Sequence, residues 1–140
     1  MREAEVALAL VPTATLALPH ATLQPLVDIS DELAEVEQLE HMVTYRKDIT
    51  GVDNTIFISP GLRVRHAARI KVAIEPPDSI NPTSETASIE IGSGAVVAGE
   101  VSTELLKQVQ RFIELNRPVL LDYWHCRLDT RQLQERLKSI

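Results

Sequence analysis

Apolar and polar positions follow three successive rhythms along the chain. Residues 1–27 mix small apolar residues with Thr and Pro, with no charge between Glu5 and Asp28. That text suits a weak hairpin or a loosely ordered arm. Ser30 then stands as an N-cap ahead of Leu33, Val36 and Leu39, with Asp31 and Glu32 in the first turn where the helix dipole favours acids. A short helix is expected there, running to about Glu40.

From Val43 the period changes to two. Thr55-Ile56-Phe57-Ile58-Ser59 is β-rich and is stopped by Pro60-Gly61. Over residues 66–75, Ala68, Ile70, Val72 and Ile74 alternate with Arg69, Lys71 and Ala73. This alternation predicts a strand with one buried face and one solvated, cationic face. Residues 87–91 and 95–101 alternate again around the turn Gly92-Ser93-Gly94. The expectation is a meander of three or four antiparallel strands.

The third rhythm is helical. Ser102 caps a segment whose apolar residues Leu105, Leu106, Val109, Phe112, Ile113, Leu120, Leu121 and Trp124 keep mostly to one stripe. Pro118 is expected to kink this helix rather than end it. Asp129 with Gln132 three residues on reads as a capping box, opening a last short helix that buries Leu133 and Leu137. Strands followed by helices give an α+β fold, with a long helix and a short C-terminal helix on one face of the sheet.

Charge divides the chain further. Net charge is −6, yet residues 1–41 hold eight acids against Arg2 alone, and residues 42–140 hold 13 basic and 12 acidic side chains. We therefore read residues 1–41 as an acidic extension ahead of an α+β domain over residues 42–140. Met42 could itself open a shorter chain, and His41-Met42 also suits a joining point. The apolar run over residues 6–18 looks like a secretory signal, but Glu3 and Glu5 cancel Arg2, and Pro12, Thr13 and Thr15 interrupt it. No run approaches the roughly 20 apolar residues of a membrane span. Cys126 is the single cysteine, which excludes an internal disulfide and fits a reducing compartment. The reading is a cytoplasmic protein.

Two stretches, 89–100 and 109–124, resemble a small bacterial family of unknown function, the domain catalogued as "DUF forty-one-sixty". The likeness rests on the acidic strand leading into Val96-Val97-Ala98-Gly99 and on the helix ending Leu120-Leu121-Asp122-Tyr123-Trp124. It would cover residues 55–127. Where that family's strand carries a histidine pair, this chain has Arg69 and Lys71. The resemblance implies antitoxin-like or DNA-binding neighbours. Histidine-dependent chemistry does not carry over, because Arg and Lys are cations at neutral pH and neither ligate metals nor exchange protons there.

Candidate chemistry concentrates in Arg63, Arg65, His66, Arg69 and Lys71, four cations and a histidine within nine positions and no acid among them. Such a cluster could dock an acidic peptide, including this chain's own residues 31–40, could grip phosphates, or could be an ordinary charged strand face that discourages edge pairing. No aromatics are interleaved for base stacking, which favours protein over nucleic acid. Trp124 is expected as a core anchor, and as an interface residue if exposed.

His125-Cys126 lacks an oriented base and is expected as a half-buried cysteine at a helix end. His20, His41, His66 and His125 are scattered singly, so no metal site is expected. Asp48, Asp53 and Asn54 around Gly51 lack calcium-loop spacing and read as an ordinary turn. Gly92, Gly94 and Gly99 read as turn residues, not a phosphate loop, and no cofactor is expected. The functional expectation is a non-enzymatic module that binds a protein partner, or a second copy of itself, through the cationic strand face and the Trp124 end of the long helix. The alternative is a nucleic-acid-binding or RNA-acting component of a toxin–antitoxin type system. A hydrolase with an unmarked site ranks third.

Overall fold

The computed structural model describes residues 19–140, with residues 19–29 described by backbone alone. Nine elements follow in order: α1 (Pro19–Glu40), β1 (Val43–Tyr45), α2 (Lys47–Thr50), β2 (Ile56–Ile58), β3 (Arg69–Glu75), β4 (Glu85–Glu90), β5 (Val96–Ala98), α3 (Thr103–Trp124) and α4 (Thr130–Arg136). The five strands form one antiparallel sheet in sequence order, so the meander holds, with a strand more than the alternation predicts. The extra strand is β1. Its three residues are too few to show a period, and its pairing with β2 defines it.

One helix departs from the sequence reading, and another follows it across a proline. Ser30 does not cap anything, because α1 already runs from Pro19. The hairpin or arm expected over residues 1–27 lies outside the described residues up to 18, and residues 19–27 are helical. Pro118 sits within α3, which continues unbroken on both sides of it as one 22-residue helix.

The other two caps appear as the sequence expects. Ser102 Oγ accepts from the Leu105 amide at 3.2 Å. Asp129 and Gln132 exchange side-chain and backbone bonds at 2.8 and 3.0 Å.

By its internal contacts the chain divides after Ala34, so α1 contributes residues 35–40 to the unit Glu35–Ile140. Within that unit the register fixes two unlike sheet faces. Ile56 opposes Val72, and Ile70 opposes Ile89, and these join Val109, Phe112, Ile113 and Leu120 of α3 in one core. On the other face Phe57 opposes Lys71, which opposes Ser88. Phe57 and Ala73 are fully buried there, so the second face of the sheet is not a solvated one. That corrects the expectation for β3: Arg69 and Lys71 lie half-buried.

Candidate functional site

The site begins where β2 stops. Pro60-Gly61 turns the chain, and the Gly61 amide donates to the Trp124 carbonyl at 2.8 Å. A Cβ on Gly61 would lie 2.6 Å from the Trp124 indole, so the close approach requires glycine. Leu62 follows in the left-handed region at φ 50°, and the Val64 amide returns to the Gly61 carbonyl at 3.1 Å. This tight loop delivers Arg63, Arg65 and His66 to the start of β3. The His66 ring settles against Trp124, with centroids 5.7 Å apart and planes tilted by 45°. Trp124 is 8% exposed and so is an anchor, as expected.

The end of α1 lies in this loop as a strap. Gln38 is 4% exposed and its Nε2 donates to the Pro60 carbonyl at 3.3 Å. At 3.6 residues per turn, Glu35 and Glu37 sit roughly 60° and 100° to either side of Gln38. Each flank is fastened by charge. Glu35 Oε2 lies 3.1 Å from His66 Nε2 and 3.8 Å from Arg69 Nη2, and Arg63 Nε donates to Glu37 Oε1 at 3.0 Å. The attraction expected between residues 31–40 and the basic cluster is therefore made within one chain, at Glu35 and Glu37.

His66 is the hinge of this arrangement. Its Nδ1 lies 3.1 Å from the Ala67 carbonyl and its Nε2 3.1 Å from the Glu35 carboxylate. Both partners accept only, so both contacts are hydrogen bonds when both ring nitrogens carry hydrogen.

The predicted residues are thus brought together unequally. His66 and Arg69 share Glu35, Arg63 holds Glu37, and Trp124 backs His66. Arg65 is exposed on the loop. Lys71 lies farther along β3, where burial holds its ammonium below the usual lysine value; Glu35 opposes that effect and Arg69 adds to it. Sequence reasoning did not single out Gln38 or Gly61. The buried amide has no periodic signature, and the glycine reads as a plain strand stop.

Beside the strap, a depression of about 350 Å³ opens, bounded by His66, Glu90, Gly92, Leu121, Trp124 and His125. Cys126 is exposed, not half-buried, and caps α3 at φ 61° with its amide on Tyr123 and that of Arg127 on Asp122. Asp53 is held by Lys47 at 2.7 Å and by Gln108 at 2.9 Å, and hydrogen bonding from both keeps its carboxyl below the usual range. Among the described residues no three His, Cys, Asp or Glu side chains form a metal-binding group, and no helix is long and apolar enough to cross a membrane.

The arrangement is suited to holding carboxylates: a guanidinium and an imidazole converge on one oxygen, and a second guanidinium waits one flank away. No family model, curated protein or solved structure matches this chain, so the resemblance over residues 55–127 rests on its sequence pattern alone.

Proposed function

We propose that this chain is a recognition module for an acidic helical segment of another protein, and that its own residues 35–38 occupy the recognition surface until such a segment arrives. One observation carries the reading: Glu35 sits between His66 and Arg69 at 3.1 and 3.8 Å, while Glu37 holds Arg63 at 3.0 Å. The surface that could bind acids in trans is filled by acids in cis. An intramolecular segment enjoys a millimolar effective concentration, so a free peptide with the same contacts competes poorly. The reading assigns recognition rather than a reaction to the chain. The cytoplasm is the setting proposed for it.

The test uses the full chain with Glu35→Ala and Glu37→Ala and a synthetic peptide of residues 31–40. Trp124 is the single tryptophan and its ring lies against that of His66, so its fluorescence reports occupancy. The double variant should bind the peptide at least about tenfold more tightly than the unaltered chain, and salt should weaken the complex. A folded double variant that ignores the peptide, or that prefers a single-stranded oligonucleotide, would overturn the reading and bring the nucleic-acid alternative forward.

A further inference from the structure

The strap leaves the depression beside it uncovered. Trp124 and Leu121 supply its apolar wall, Gly92 its open side and Glu90 its rim. A Cβ on Gly92 would meet nothing within 4 Å. His66 belongs to both places: its Nε2 faces Glu35, and its ring lies against Trp124 at the edge of the depression.

We propose that this depression seats one bulky apolar side chain of the acidic partner helix, whose carboxylate replaces Glu35 on His66 and Arg69. The inference rests on the preceding reading and names what distinguishes the partner from the strap. Val36 is 51% exposed, so the strap leaves one of its two large apolar side chains to solvent, with Leu39 half-buried. It stays seated because it is tethered. A partner in trans lacks the tether and must make a contact that the strap omits. Covering Leu121 and the exposed edge of the indole is that contact, and burying one large apolar side chain multiplies affinity about tenfold to a hundredfold.

The rim selects the occupant. Glu90, opposite Arg69 in the sheet register, disfavours a second carboxylate in the depression, so the occupant is uncharged. The Arg69 guanidinium and the His66 imidazole beside it call for a carboxylate within one helical turn. Residues three or four apart share a helix face, so the partner carries Asp or Glu with a bulky apolar residue at that spacing.

Three peptides test this on the full-length Glu35→Ala, Glu37→Ala chain: residues 31–40 unaltered, the same with Phe in place of Asp31, and the same with Phe in place of Leu39. The two replacements place the ring one turn before or after Glu35. At least one should bind about tenfold more tightly than the unaltered peptide. Adding Gly92→Leu, which places a bulky side chain among the lining of the depression where a Cβ clashes with nothing, should erase that gain and leave the unaltered peptide's affinity unchanged. If the unaltered peptide binds but Phe adds less than about twofold, or if Gly92→Leu leaves the gain intact, the depression is not the seat and only this inference falls. If no peptide binds, the reading of the surface falls and this inference with it.

Discussion

Helix α3 and the strap, residues 35–40 at the end of α1, are held by different physics. α3 buries Leu105, Val109, Phe112, Ile113 and Leu120 against the apolar face of β2, β3 and β4. Each such side chain contributes about 1.5–3 kcal/mol from burial alone. Residues 35–40 of α1 bury an amide, turn Val36 to water, and fasten their flanks with Glu35 and Glu37, whose side chains are 44% and 37% exposed. Ion pairs this exposed are worth about 0–1 kcal/mol each. The difference teaches which hold answers to salt: α3 is kept by apolar burial in the core, whereas the strap adds to its buried amide two exposed ion-pair flanks that are individually weak.

Substitutions should separate the two regimes. Phe112→Ala deletes a fully buried ring from α3 and should lower stability by about 3–5 kcal/mol in urea unfolding. A loss near 1 kcal/mol would place α3 in the weak class with the strap.

Asn116 shows that a polar group can also belong to the strong class. It is buried on α3, its Nδ2 donates to the Lys138 carbonyl at 2.9 Å, and its Oδ1 accepts from the Lys138 amide at 2.7 Å. Asn116→Ala strands both backbone groups and should cost about 2–3 kcal/mol.

The core carries a pH-sensitive defect at Tyr45. The Tyr45 hydroxyl is buried without a hydrogen-bond partner, and burial, with Tyr123 adding to it, pushes its pKa up to about 12 from 10.0. The folded state keeps this proton in a window where the unfolded chain loses it. Stability should be intact below pH 10 and fall between about pH 10 and 12, by roughly 2 kcal/mol. Tyr45→Phe should flatten that decline in unfolding curves taken across the window.

A smaller effect, of opposite sign, is expected at the C-terminal end of α3. Cys126 is held at φ 61°, where glycine is at ease, so Cys126→Gly should raise stability by about 0.5–1 kcal/mol.

Much of this contrast was legible in the residues. The stripe from Leu105 to Leu120, the Ser102 cap and the Asp129–Gln132 box are local signals, and each survives folding unchanged. The cationic alternation of β3 was legible too, but not its cover. Period two says which side chains share a face, and it does not say whether that face meets water. A clue lay one strand away, in the unbroken run Ile56-Phe57-Ile58, since a strand apolar on both sides is covered on both sides. The strap was half legible. Its excess of acids pointed to the basic cluster, but Glu35, Glu37 and Gln38 are picked out by where the loop at Gly61 puts His66, which depends on contacts more than 20 residues apart.

Hydrogen exchange across a salt series tests the central contrast most directly. The Debye length falls from about 10 Å at 0.1 M to about 3 Å at 1 M, so exposed ion pairs weaken while apolar packing does not. Amides of residues 38–42 should exchange several-fold faster at 1 M than at 0.1 M, with those of α3 between Val109 and Leu120 unchanged. Arg63→Glu combined with Arg69→Glu should reproduce the acceleration at low salt. Equal protection of both segments, unmoved by salt or by the charge reversals, would contradict the account.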